Sequence, residues 1–158
     1  MSKTPQVTIS AMTAADLAAV VAIERQNPGP WNASHLADEL KQPLSWQWLA
    51  RTADTDRVIG YIIGRTVADE AEILRLAVDA NHRRRGVAQQ LLQHTFTELR
   101  RSGTLTCFLE LRVSNIVARR LYEKNGFQSI GIRYNYYQSP DEDAFVMTKS
   151  LQDKGASP

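Results

Sequence analysis

Apolar positions change their spacing several times along the chain, and each change marks an element. Val7 to Ser10 is a short strand pattern. Leu17, Val20, Val21 and Glu24 then recur at helical spacing behind Thr13-Ala-Ala-Asp16, where Thr13 suits an N-cap and Asp16 the first turn. That helix should stop before Asn27-Pro28-Gly29-Pro30. Leu36 and Leu40 predict a second helix, capped by Asn32 or Ser34 and ended by Pro43. Trp46 to Thr52 alternates, with Trp46, Trp48 and Ala50 on one face. Val58 to Val67 is the next strand, and Gly60 and Gly64 within it predict a bulge or a close backbone approach. Glu72 to Val78 completes a three-strand meander, which implies antiparallel pairing.

The stretch Ile73 to Thr97 is built differently. An apolar run breaks at Asp79, passes through the basic turn Arg83-Arg84-Arg85-Gly86-Val87-Ala88, and continues as an amphipathic helix. Val87, Ala88, Leu91, Leu92, Phe96 and Leu99 form its apolar stripe, and Arg100, Arg101 and Gly103 end it. Thr106 to Val113 is again a strand, so strand, helix and strand form a right-handed crossover with a parallel pair. Ser114 is expected to cap a short helix, Asn115 to Lys124, closing on Asn125-Gly126. Phe127 to Tyr134 and Ala144 to Ser150 are the last strands. The reading is one α/β domain with a mixed sheet over residues 5–151, and a disordered tail over 152–158.

Composition narrows the function classes. A chain of 158 residues with 43% hydrophobic and 23% charged residues fits one globular domain. The net charge is only +2, and the arginines gather at Arg83–Arg85 and at Arg100, Arg101, Arg119 and Arg120. That favours a local anion site over a nucleic-acid-binding face. The lone Cys107 sits in an apolar run and reads as a small buried hydrophobe in a reducing compartment. No run approaches the ~18 apolar residues of a membrane span, so the expectation is a cytoplasmic protein without a membrane partner.

Three places could carry chemistry. The turn from Arg83 to Gln89 opens a helix, where backbone amides lack partners and the dipole is positive, so it can hold a pyrophosphate. It is neither a Walker A loop nor a dinucleotide fingerprint. Alone, it could equally be a solvated basic loop. Glu110 lies in the apolar strand Cys107-Phe-Leu-Glu-Leu-Arg-Val113, on the face of Phe108 and Arg112. It either pairs with Arg112 or lines a cleft as a general base. Tyr122 follows the small Ala118 by four residues, which leaves room for a ligand on that helical face, or it packs into the core. Trp31 and Tyr134 to Tyr137 are either edge packing or walls of an acceptor cleft. His35, His82 and His94 are too scattered for a metal site.

The order of strand, R-R-x-G-x-A turn, helix, L-E-L-R-V-S-N strand end and A-R-R-L-Y-E-K-N-G-F helix resembles the GCN5-related N-acetyltransferases (GNAT). Within them it is similar to the bacterial ribosomal-protein alanine N-acetyltransferases, the RimI type. Gly29-Pro-Trp31, Arg133-Tyr-Asn-Tyr-Tyr137 and Asp143-Ala-Phe-Val-Met147 extend the resemblance over nearly the whole chain. It implies a mostly antiparallel sheet of about six or seven strands with about four helices, and a splayed parallel pair that holds acetyl-CoA. It also implies that the pantetheine arm lies along Leu76, Ala77 and Val78. The pyrophosphate would sit on the amides of Arg84, Arg85, Gly86, Val87, Ala88 and Gln89, where Ala88 replaces a usual glycine. Asn115 would contact the cofactor, Glu110 would be the general base and Tyr122 the acid for the leaving thiolate. The implied acceptor is the N-terminal α-amine of a protein, the alanine of a small-subunit ribosomal protein. The alternatives are a lysine or small-molecule amine acceptor, or a non-catalytic acyl-CoA-binding module.

Overall fold

Strand alternation and helical spacing convert directly into elements in the computed structural model, which describes residues 6–152. Among these, seven strands and four α-helices follow in the order β1 (Val7–Ala11), α1 (Leu17–Glu24), α2 (Ala33–Leu40), β2 (Ser45–Thr52), β3 (Val58–Val67), β4 (Glu70–Val78), α3 (Val87–Arg101), β5 (Thr106–Arg112), α4 (Ile116–Lys124), β6 (Gln128–Tyr137) and β7 (Glu142–Ser150). Of the expected tail only Gln152 is described, and residues 153–158 lie outside the described residues.

The strands form one sheet in the order β1-β2-β3-β4-β5-β7-β6. Only β4 and β5 pair in parallel, as the intervening α3 requires. Both faces are covered. On one, Leu91, Leu92, Phe96 and Leu99 of α3 pack on Ile62, Ile73, Leu109 and Met147. On the other, Val20, Val21 and Ile23 of α1 and Leu36 of α2 pack on Leu49, Tyr61 and Ile63. The pleat explains the division: Trp46, Trp48 and Ala50 of β2 face α3, while Leu49 faces the opposite layer.

Both glycines of β3 are needed. A Cβ on Gly60 would sit 3.2 Å from the Ala77 carbonyl oxygen and 3.3 Å from side chains of α3. A Cβ on Gly64 would run into the Trp46 ring and the Glu72 carbonyl. The pairing shifts at this point, from Ile63 opposite Arg75 to Gly64 opposite Ile73, so the extra residue of the bulge is Leu74 on β4.

One helix start differs from the sequence expectation. Asn115, not Ser114, caps α4: its Oδ1 accepts from the Ala118 amide at 3.1 Å. Ser114 is held earlier in the turn, its own amide donating to Glu142 Oε2 at 2.6 Å. Asn32 caps α2 by accepting from the His35 amide at 2.8 Å. Asp16 closes the turn before α1 by accepting from the Thr13 amide at 2.8 Å.

Candidate active site

β4 and β5 pair only from Glu70 opposite Thr106 to Ile73 opposite Leu109. Beyond that point β5 stays with β7 as far as Arg112, and β4 stays with β3. The strands therefore part, and a cavity of about 640 Å³ opens between them. Its walls are Arg75, Leu76 and Ala77 of β4, Glu110 to Arg112 of β5, Gly29 and Trp31 after α1, and Asn115, Ala118 and Tyr122 at α4. The β4 edge that faces this gap has no strand partner among the described residues, so its backbone can pair with an extended, amide-bearing ligand.

Glu110 reaches the cavity from β5 with a side chain only 9% exposed. Its Oε1 accepts from Arg133 Nε at 2.8 Å, and its Oε2 is buried without a hydrogen-bond partner among the described residues. It does not pair with Arg112. That guanidinium donates to the Pro140 carbonyl at 2.8 Å and lies 3.4 Å from Glu142, stacked over Tyr137 at 4.4 Å. Neighbours two apart on a strand are separated by roughly 6.6 Å of rise, so cross-strand partners compete better. The Tyr136 phenol is pushed up to about 12, first by the Glu110 carboxylate beside it and then by burial. Burial, and then Glu110, raises the carboxyl of Glu72.

Tyr122 satisfies both readings of its position. It packs edge-on against Phe127 at 5.3 Å within the core, and it also lines the cavity. Burial raises its hydroxyl well above the usual tyrosine range, so it stays protonated. Ala118, one turn earlier, lines the same wall and leaves room for a ligand. Asn115 lines the wall too, with its Oδ1 engaged in the cap. Burial pushes the Cys107 thiol up to about 12, which makes it a poor nucleophile.

The basic turn divides into two parts. Arg83 lines the cavity and folds back, its Nε donating to the Val78 carbonyl at 3.0 Å. Val78 itself serves this loop closure and is buried. Arg84, Arg85 and Gly86 are exposed beyond the cavity, where Arg84 (φ 62°) and Gly86 (φ 79°) adopt left-handed conformations. Those conformations turn the chain so that the amides of Val87, Ala88 and Gln89 open α3. The side chain of Gln89 points elsewhere and exchanges hydrogen bonds with Asn125 at 2.8 and 2.7 Å.

Sequence reasoning missed the opposite wall. Glu24, 1% exposed, accepts from Arg75 Nε at 3.0 Å, Arg75 Nη2 at 2.7 Å, the Trp31 amide at 2.7 Å and the Tyr61 hydroxyl. Arg75 also lies 5.6 Å from the Trp31 ring. A glutamate following Val20, Val21 and Ile23 was the available signal. Gln26 ties the same segment to the end of β4, donating to Asp79 Oδ1 at 2.9 Å and accepting from the Ala80 amide at 2.8 Å. The segment Asn27–Trp31 is thus a fixed wall of the cavity. The site offers an open strand edge, a helix N-terminus beside arginines, one free carboxylate oxygen and a protonated phenol. That set suits a phosphate-bearing acyl donor and an amine acceptor.

The acetyltransferase (GNAT) family matches residues 17–127. A [ribosomal protein bS18]-alanine N-acetyltransferase of Salmonella typhimurium is 39% identical over 144 residues, covering 89% of this chain and 95% of its own. The N-alpha-acetyltransferase RimI of Mycobacterium tuberculosis is 32% identical over 157 residues, covering 95% and 96%. The crystal structure of the ribosomal-protein-S18-alanine N-acetyltransferase from Escherichia coli superposes with a TM-score of 0.84 at 32% identity, covering 97% of this chain and 99% of that one.

Proposed function

The chain belongs to the GNAT acetyltransferase family, and from that premise we propose that it acetylates the N-terminal α-amine of a protein, the alanine of a small ribosomal subunit protein. Its acyl donor is acetyl-CoA. No helix among the described residues is long and apolar enough to cross a membrane. The proposed compartment is the cytoplasm. The proposed functional unit is the single domain of residues 5–151.

Acetyl-CoA supplies the activated thioester. In the proposed mechanism the free β4 edge at Leu76 and Ala77 aligns the pantetheine arm, with Val78 at its closed end where Arg83 occupies the carbonyl, and the amides from Arg84 to Gln89 hold the pyrophosphate. Asn115 borders the arm from α4. Glu110 Oε2 takes a proton from the acceptor ammonium, directly or through one water. The amine attacks the thioester carbonyl, the C–N bond forms and the C–S bond breaks. Tyr122 gives its proton to the departing thiolate and regains one from the acetylated nitrogen, which still carries the amine's second surplus proton, while Glu110 passes its proton to solvent. The products are the N-acetyl peptide and CoA, and Cys107 takes no part.

The observation that carries this reading is Glu110, a nearly buried carboxylate that lines the gap between β4 and β5 and has one oxygen unpaired among the described residues. An α-amine has a pKa near ~8, against ~10.4 for lysine, so deprotonating it costs about 3 kcal/mol less. A single carboxylate is therefore better matched to an N-terminus than to a lysine. Mass spectrometry of peptides incubated with acetyl-CoA and the enzyme tests this. Acetyl groups should appear on the α-amine of peptides beginning with alanine. Modification confined to lysine side chains overturns the reading.

A further inference from the structure

Outside the roles given to Glu110 and Tyr122, one residue is placed to decide how the carboxylate works. We propose that Arg133 is a positioning residue for acetyl transfer: it holds Glu110 by Oε1 and so presents Oε2 to the acceptor amine. This rests on the reading of Glu110 as the base.

The geometry is specific. Arg133 stands on β6 opposite Ala144 of β7, and Ala144 stands opposite Arg112 of β5. Glu110 lies opposite Val146 of β7, which in turn lies opposite Gly131 of β6. Arg133 thus reaches diagonally across β7, over a strand that presents only alanine and valine there. Its Nε closes on Glu110 Oε1 at 2.8 Å, while Oε2 stays buried and unpaired. A carboxylate fixed at one oxygen cannot rotate freely, so Arg133 sets the orientation of the carboxylate that lines the cavity. After Arg133 the β6 register shifts, with Tyr137 next in pairing opposite Glu142. The bulge brings Tyr136 to the same carboxylate.

Charge balance supports the same role. The groups facing Glu110 are Glu72 from β4, with Arg65 of β3 beside it, and Arg133, Tyr136 and Tyr137 from β6. Arg112, on the same strand, is engaged by the β6–β7 loop and Glu142. Val146 of β7 is uncharged. Glu72 and Glu110 repel, and that repulsion contributes to the raised carboxyl of Glu72. Without Arg133 the Glu110 carboxylate loses its hydrogen bond at Oε1, and Glu72 loses a cation that offsets the repulsion. Arg133 is itself 57% exposed, so it can be replaced without opening the core.

The test uses the full chain in steady-state kinetics with acetyl-CoA and an alanine-initiated peptide, each varied in turn. In Arg133→Ala kcat should fall by about tenfold or more, because the carboxylate loses the contact that fixes Oε1. The KM for acetyl-CoA should stay within about twofold, because Arg133 is remote from the proposed cofactor edge. Arg133→Lys should restore only part of kcat, since an ammonium keeps the charge and loses the planar geometry. In a Glu110→Gln background Arg133→Ala should have no further effect on kcat. An unchanged kcat in Arg133→Ala, or an equal loss in both backgrounds, overturns the proposal. Full activity in Glu110→Gln instead overturns the reading of Glu110 as base, so the two failures are told apart.

Discussion

Ile73 and Leu109 are the last residues that β4 and β5 pair, and Glu110, the proposed base, is the next residue along β5. The separation is built on the β3 side. Gly64 lies opposite Ile73, and the unpaired Leu74 gives β4 its bulge there. The Trp46 ring fills the place where a Cβ on Gly64 would lie, and Trp46 Nε1 donates to Thr66 Oγ1 at 2.9 Å. Gly64→Ala should therefore force the ring or the strand to move, at a cost of about 1–3 kcal/mol. Urea unfolding measures the loss. Since the bulge directs β4 away from β5, kcat should fall in the same variant even under conditions where it is fully folded.

Glu110→Gln and Tyr122→Phe remove the proposed base and acid while keeping volume. Each should lower kcat by about 10²–10⁴-fold. Acetyl-CoA affinity, read by calorimetry, should change little, because neither residue contributes the β4 edge or the α3 amides. The Tyr122 variant should also retain stability within about 1 kcal/mol, since its ring contact with Phe127 survives. Unchanged rates in both variants, with acetyl-CoA still bound, would remove the proposed mechanism.

How much of this was legible in the sequence follows from the range of the interactions. Alternation in Cys107 to Val113 put Glu110 opposite the apolar face, and the burial pattern of β5 agrees. The order of elements and the parallel pair followed from local period and crossover geometry. The partner of Glu110 did not, because Arg133 is 23 residues away and reaches it across β7. The bulge was expected from the glycines of β3, yet the extra residue is Leu74 on β4, since a register shift belongs to a pair of strands. Ser114 and Asn115 are both good caps, and only the Glu142 contact to the Ser114 amide decides between them. Gln89 has only a backbone role in the sequence pattern, and nothing local shows that its side chain belongs to Asn125.

Acid should weaken the fold through specific carboxylates. Arg65 donates to Glu39 at 2.9 and 2.6 Å and holds it below the usual 4.5. Gln26 first, and then His82, holds Asp79 below the usual 3.8. A carboxyl depressed in the folded state contributes stability above its unfolded value and loses it as pH falls through the folded one. Urea midpoints should therefore decline as pH drops below 4.5. Glu39→Gln should be less stable than the parent at neutral pH and should converge on it in acid. A constant gap between the two curves would show that Glu39 contributes packing rather than charge.

Asn125 joins the helix that opens at the basic turn to the helix that carries Tyr122. It is 5% exposed, accepts from Gln89 Nε2 at 2.8 Å and Gln93 Nε2 at 3.0 Å, and donates to Gln89 Oε1 at 2.7 Å and the Leu121 carbonyl at 2.8 Å. Replacing it with leucine leaves two amides on α3 unpaired in a partly buried place, at a cost of about 1–3 kcal/mol. The functional effect should differ from that of the Tyr122 variant. The first turn of α3, which contains Gln89, supplies the amides proposed to hold the pyrophosphate, so loosening it should raise the KM for acetyl-CoA. The KM for the acceptor peptide should change less, because the cavity wall of Glu24, Trp31 and Arg75 is anchored independently. Asn125→Asp should fall between the two, accepting from Gln89 and Gln93 while losing both donated bonds. Steady-state kinetics with each substrate varied in turn separates these outcomes. An equal rise in both KM values would place Asn125 in general stability rather than in the cofactor helix.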